Sequence, residues 1–213
     1  TDPVNTPWGA VQCPDFAQVA SDKKAYAKAT RQQYDQQDEI YGKTVIQRHG
    51  KQMLVQNPPA LSLTQEELDA VYQLPFQRKP HPMYDAQGGV PGIAEVQFSI
   101  AHNRGCFGYC NFCSIALHQG RRVTCRSEES ILKEAKQITE MPNFKGYIHD
   151  VGGPTANFRA PSCKKQLTKG LCRGKKCLAP EICPAIHADH SEYLHILRQL
   201  RKLPKVKKVF IRS

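Results

Sequence analysis

The segment Cys106-Phe-Gly-Tyr-Cys110-Asn-Phe-Cys113 constrains this chain more than any other. Three thiols spaced C-x3-C-x2-C can hold one metal centre between them but cannot complete a four-cysteine site. A closed structural site takes a fourth protein ligand, whereas a centre with an open position keeps it for a substrate or cofactor. Gly105 and Gly108 let the backbone wrap closely around such a centre. The bland alternative is a zinc knuckle that borrows His102 or His118 as its fourth ligand.

The remaining cysteines argue against a disulfide scaffold. Their total is nine, an odd number, in a chain of 213 residues. Cys13 and Cys125 have no partner by spacing and read as simple thiols; the other seven lie between Cys106 and Cys183 at metal-ligand separations. The second group, Cys163-x8-Cys172-x4-Cys177-x5-Cys183, supplies four thiolates and so reads as a closed site, structural zinc or a second iron–sulfur cluster. His187 and His190 are substitute ligands, and Lys164, Lys165, Lys169, Arg173, Lys175 and Lys176 offset thiolate charge. This usage fits a reducing compartment, and the expected localisation is cytoplasmic. The sequence has no apolar run of about 18 residues to span a bilayer, and Thr1 to Thr30 lacks the order of a signal peptide.

With 40% hydrophobic and 23% charged residues the chain reads as globular. Thirty basic residues against 19 acidic ones give a net charge of +11, which suits a polyanion such as RNA. The same excess serves equally to balance thiolates and to bind a carboxylate-bearing cofactor, and no aromatic interleaving of an RNA-binding kind accompanies it. Arg121, Arg122 and Arg126 come after the first cysteine segment and are candidates for carboxylate or phosphate contact. Arg198, Arg201, Lys202, Lys205, Lys207 and Lys208 read as a solvated face.

Along the chain, Thr1 to Ala20 gives no clear period and is expected to be irregular, and Ser21 is expected to cap a helix over 22–37. Lys43–Gln47 and Gln52–Gln56 read as a hairpin turning at Gly50. Thr64-Gln-Glu-Glu67 is a capping box that starts a short helix. Prolines and glycines from Leu74 to Gly92 read as a linker, which divides an α+β region, 1–92, from a second region, 93–213. In that second region the pattern becomes strand, loop, helix: a strand over Ala94–Ala101, a helix capped by Ser127 with Ile131, Leu132, Ala135 and Ile138 inward, and a strand over Lys145–Val151. A cysteine-rich insertion, 155–188, precedes a helix with Leu194, Leu197, Leu200 and Tyr193 inward, and a strand over Val206–Arg212 closes the series. This rhythm predicts an α/β fold with a parallel sheet, and the sequence ends at its third strand, so a fragment of a longer protein is expected.

The first cysteine segment matches the signature of radical S-adenosylmethionine (radical SAM) enzymes, and the whole chain closely resembles the YgiQ family within that superfamily. The residues that carry the resemblance are Val55-Gln-Asn-Pro-Pro59, Thr64-Gln-Glu-Glu-Leu-Asp69, Phe98-Ser-Ile through Asn103-Arg-Gly-Cys-Phe-Gly108, His149-Asp-Val-Gly-Gly-Pro-Thr-Ala156, the four later cysteines and Asp189-His-Ser-Glu-Tyr193. The resemblance implies the first half of a partial (β/α)6 TIM-type barrel. It implies that Cys106, Cys110 and Cys113 ligate a 4Fe-4S cluster whose fourth iron takes SAM. It further implies that Phe112 lies against the adenine, and that Gly152, Gly153 and Pro154 orient the SAM amino group. The implied chemistry is reductive cleavage of SAM to a 5'-deoxyadenosyl radical acting on an unknown substrate, with an electron donor such as flavodoxin or ferredoxin. Two competing readings are a methylthiotransferase-like enzyme that modifies RNA and a zinc-ribbon interaction module without catalysis.

Overall fold

The computed structural model describes residues 6–153 and 157–212. In chain order the elements are β1 (Val11–Gln12), α1 (Phe16–Ser21), α2 (Lys23–Asp35), β2 (Val45–His49), β3 (Gln52–Gln56), α3 (Gln65–Tyr72), α4 (Ile93–Val96), β4 (Ser99–Ala101), β5 (Asn103–Arg104) and α5 (Ile115–Gln119). Next come β6 (Thr124–Cys125), α6 (Glu128–Thr139), β7 (Tyr147–Ile148), β8 (Asp150–Gly152), α7 (Gln166–Lys169), α8 (Ser191–Arg201) and β9 (Lys208–Val209). No helix among the described residues is long and apolar enough to cross a membrane. The chain divides into two compact units, each assembled from separated segments.

The first unit comprises the residues to Ser62, Phe107–Arg122 and Cys163–Ile186. Its sheet has the order β1-β2-β3, with β1 parallel to β2 and β2 antiparallel to β3 through the turn at Gly50, whose φ of 61° lies where glycine is at ease. Cys13, Ala29 and Val45 form a small core with Val19 packed on it. Of the stretch expected to be irregular, residues 1–5 lie outside the described residues, and 11–20 are largely regular: Val11 pairs with Val45, and Gln18 accepts the Asp15 amide at the start of α1. The cap of α2 is Asp22, whose carboxylate accepts from the Lys24 amide, while the Ser21 hydroxyl turns back to Ala17 O within α1.

The second unit comprises Leu63–Cys106, Val123–Ser162 and the residues from His187 onward, and so contains the Leu74–Gly92 segment. Two stretches of extended chain, β7 and β8, are separated only by His149. β8 pairs in parallel with β4 (Ser99↔Asp150, Ala101↔Gly152), and β7 pairs in parallel with β9 (Tyr147↔Lys208). The Val151 amide continues the second ladder by donating to Phe210 O at 3.1 Å. Three parallel stretches thus lie side by side in sequence order, with α6 and α8 in the connections. Ile131, Ala135 and Ile138 of α6 share one core with Tyr193, Ile196, Leu197 and Leu200 of α8, and with Phe98, Ile100, Ile148 and Val151.

Local caps decide where helices begin. Thr64 Oγ1 accepts the Glu67 amide while Glu67 accepts the Thr64 amide, and Ser127 Oγ accepts the Ser130 amide. Two expectations are corrected. Ile93–Val96 form a helical turn, closed by the Gln97 amide on Ile93 O, so the strand begins only at Ser99 and Val96 is exposed. A three-residue alternation is too short to separate the two periods. In α8, Leu194 is exposed and Ile196 is buried, because the face turned inward is 193-196-197-200.

A buried ion-pair cluster sits beside this core. Glu134 of α6 pairs with both Arg78 and Arg126, and the Arg126 side chain is only 1% exposed. Removing the carboxylate leaves a buried guanidinium without a counter-charge, so Glu134→Ala is predicted to cost about 3–5 kcal/mol in urea denaturation. Arg31→Ala, which breaks the exposed Arg31–Asp35 pair, is predicted to change stability by less than about 0.5 kcal/mol in the same assay.

Candidate metal centre

The cysteine segment follows β5, which leaves the carboxyl end of β4 and pairs antiparallel with β6 (Asn103↔Cys125, Arg104↔Thr124), and arginine donors hold the carbonyls at that exit. Arg126 Nη1 donates to Ala101 O at 2.9 Å, and the Arg126 amide donates to His102 O at 3.0 Å. Arg159, also buried, donates to His102 O and to Arg126 O and pairs with Glu192. The Arg126 guanidinium lies over the Tyr72 ring at 4.1 Å. Burial pulls Arg126 down to about 10, so it stays charged at neutral pH.

His102 joins the ends of two neighbouring strands. Its amide donates to Gly152 O at 3.0 Å, and its Nε2 lies 3.3 Å from Asn157 Oδ1. The same Asn157 oxygen accepts the Gly153 amide at 3.1 Å, so in this arrangement His102 Nε2 is the protonated nitrogen. The imidazole packs against Tyr193 in a tilted arrangement, ring centres 4.8 Å apart, and the Tyr193 hydroxyl donates to Val151 O. Burial, with Arg159 adding like-charge repulsion, lowers His102 to about 4. Asn157 thereby bridges the chain entering the cysteine segment and the glycine pair of β8. No sequence motif announces Asn157; its role depends on a contact between segments 55 residues apart.

Cys106 is buried at the end of its segment of the second unit, and Cys110 and Cys113 belong to the first unit. Within the first unit the Cys113 amide donates to Cys110 O at 3.1 Å, so the last two cysteines share a turn. Tyr109 precedes that turn with φ 48°, an unusual backbone for a ring-bearing residue. Phe112 is 93% exposed. All three cysteines are free thiols, and among the described residues no group of three or more His, Cys, Asp or Glu is gathered as a metal site. The donor set nevertheless fits a thiophilic centre: three unbridged thiols on one short segment, beginning where a strand ends. His102, one candidate for the fourth ligand of a zinc knuckle, is engaged with Asn157. Gly152 and Gly153 stand at the end of β8; Pro154 lies outside the described residues.

In the second cysteine set the Cys183 amide donates to Cys177 O at 2.9 Å, Cys163 O accepts the Gln166 amide at the start of α7, and Lys165 Nζ lies 3.3 Å from Cys172 Sγ. None of the four is in a disulfide, and they are not gathered into one site. The excursion is anchored by Asp38, a buried carboxylate that accepts the Leu171 amide at 2.7 Å. Cys125 is a packed thiol pushed up to about 11 by burial, and burial likewise raises Cys13. Of the three arginines near the first segment, Arg122 is engaged by Glu39 and Arg126 by Glu134, so neither is available as a ligand contact.

A family profile described as "Radical SAM N-terminal" matches residues 3–99. A UPF0313 protein of Clostridium perfringens (strain ATCC 13124) is 56% identical over 200 residues, covering 94% of this chain and 30% of that relative. A UPF0313 protein of Clostridium botulinum (strain Okra) is 55% identical over 203 residues, covering 95% of this chain and 32% of that relative. The chain thus spans about a third of the length of the curated relatives it matches. No solved structure matches the chain.

The buried imidazole has a consequence for stability. Below its ordinary value of 6.5 the unfolded chain takes up a proton that the folded chain, with Arg159 and Arg126 close by, refuses until about pH 4. Stability attributable to His102 is therefore complete above pH 6.5 and is lost as pH falls toward 4, by about 3 kcal/mol. Chemical denaturation across this window is predicted to show that slope, and His102→Gln, which keeps a donor for Asn157, is predicted to lack it.

Proposed function

Because the chain belongs to the UPF0313 (YgiQ) family of radical SAM proteins, we propose that it is the part of a radical SAM enzyme that carries the cluster-binding segment. Cys106, Cys110 and Cys113 are the thiolates that hold a 4Fe-4S cluster, and SAM takes the open iron. A cluster held there would supply, when bound and reduced, the electron for reductive cleavage of SAM. The observation that carries this reading is the neighbourhood of two motifs: the cysteine segment leaves β4 where Gly152-Gly153 ends the parallel strand β8, with Ala101 opposite Gly152. Ligands in parallel α/β folds collect at such strand ends.

The chain's own residues have separable tasks in this proposal. The thiolates fix the centre, and Asn157 keeps the entering chain and the glycine pair at a set distance. Gly152 and Gly153 let a ligand approach the backbone, which is also the role proposed for Pro154. Phe112 supplies an aromatic face for the adenine. Residues 93–213 are read as the beginning of a partial (β/α)6 barrel, supported by the three parallel stretches in sequence order, with 155–188 inserted as a second metal site on Cys163, Cys172, Cys177 and Cys183. The family profile over 3–99 supports reading 1–92 as the region before the barrel. The enzyme works in the cytoplasm on an unidentified substrate, with a one-electron carrier such as flavodoxin or ferredoxin.

Anaerobic reconstitution of the full-length protein tests the assignment. The wild type is predicted to bind iron and sulfide as a brown protein and, once reduced, to convert SAM to 5'-deoxyadenosine. Cys106→Ala, Cys110→Ala and Cys113→Ala each lose that absorption, whereas Cys172→Ala retains it. A colourless wild type that carries only zinc contradicts the reading. Phe112→Ala is predicted to weaken SAM binding about tenfold, the order expected for one lost aromatic contact, without moving the melting temperature, since the ring contributes little to packing.

A further inference from the structure

Arginine burial singles out one side chain. Arg78 and Arg126 face Glu134, Arg122 faces Glu39 and Arg159 faces Glu192. Arg121, at 7% exposure, is as buried as Arg159 and more so than Arg78 or Arg122, yet has no carboxylate ion-pair partner among the described residues. Its Nη2 donates to Lys175 O at 3.3 Å, and its buried Nε has no hydrogen-bond partner. The guanidinium lies 4.1 Å from the centre of the Tyr109 ring, immediately before Cys110. A second cation reaches the same ring: Lys176 Nζ is 5.5 Å from its centre and donates to Asn111 Oδ1, between Cys110 and Cys113. Tyr34 backs Tyr109 at 5.5 Å. Arg121, Tyr109, Lys176, Asn111 and Tyr34 all belong to the first unit.

A dehydrated cation is costly unless an anion meets it, and an aromatic face with one carbonyl offsets only part of that cost. The adjoining segment is where thiolates gather negative charge when they hold a metal. We propose that Arg121 is the counter-charge of the thiolate-bound cluster on the Cys110–Cys113 segment and sets its reduction potential; this rests on the proposed cluster. The step concerned is simple: one electron passes from a reduced carrier protein of the flavodoxin or ferredoxin class into the cluster, with no bond made or broken. The site becomes more negative by that electron, and a fixed cation in a water-poor setting favours the more negative state. Lys176 acts in the same sense from a more solvated position, and so more weakly.

The test uses the full-length protein, reconstituted anaerobically, with Arg121→Gln and Arg121→Lys beside the wild type. Iron content is measured first, then the midpoint potential by a redox titration followed by electron paramagnetic resonance. Arg121→Gln is expected to bind the same iron with its potential shifted negative, and Arg121→Lys to restore most of the shift. The metal-free proteins supply a second measurement. There the unpaired cation is a liability, so Arg121→Gln is expected to melt at or above the wild-type temperature and to gain less on loading with iron. Iron bound with an unmoved potential overturns the Arg121 assignment alone, as does a metal-free Arg121→Gln protein that melts well below wild type. A wild type that takes up no iron overturns the cluster reading and the assignment together.

Discussion

The candidate site depends on how the backbone is held where it passes from β4 to β5. Beyond Ala101 the chain leaves the parallel ladder, and its carbonyls must find donors elsewhere or remain dehydrated and unpaired. Arg126 and Arg159 provide those donors, one reaching Ala101 O and both serving His102 O. Burying two guanidinium groups is itself expensive, by several kcal/mol each if uncompensated. Glu134 and Glu192 are therefore as necessary as the arginines, and Tyr72 under Arg126 adds about 1–2 kcal/mol of cation–π attraction in a desolvated setting. The cost of the ion-pair cluster is accepted where a loop must have one conformation, at the point where three thiols begin.

From that fixed exit a second connection runs sideways. A single oxygen, Asn157 Oδ1, meets both His102 and Gly153. It can do so because burial keeps the imidazole neutral, leaving Nε2 to donate in a fixed tautomer. A charged imidazole there would face Arg126 and Arg159. The coupling is thus electrostatic as well as geometric: the two arginines that hold the carbonyls also keep His102 in the protonation state that the Asn157 bridge requires.

Local features were the ones legible in the sequence. The capping box at Thr64, the cap at Ser127, the turn at Gly50 and the stripe Ile131-Ala135-Ile138 each depend on residues within about one helical turn, and they are found where the pattern puts them. The metal-ligand spacing is local in the same sense. β1 was illegible because two residues become a strand only through Val45 and Ile46, and the cap at Asp22 was hidden by a serine beside it that is equally suited by type. Asn157 and Glu134 had no signal at all, since their meaning comes from partners far along the chain.

The charge of the chain is the case where composition misleads most. An excess of 30 basic over 19 acidic residues invites a polyanionic partner. Yet Arg78, Arg122, Arg126 and Arg159 are engaged by carboxylates of their own chain, and Arg126 and Arg159 are turned onto backbone carbonyls as well. Arg173 lies over Tyr41, and Lys165 lies against the Cys172 thiol. The arginines at 78, 122, 126 and 159 are thus engaged within the fold, while Arg173 and Lys165 keep their contacts at the surface. A fixed cation near a thiolate acts on the energy of the electron that the thiolate-bound centre takes up, whereas a solvated one is largely screened by salt. Pairing with carboxylates cancels acidic and basic residues together, so it fixes where the internal arginines point and leaves the exposed excess of lysine and arginine in place.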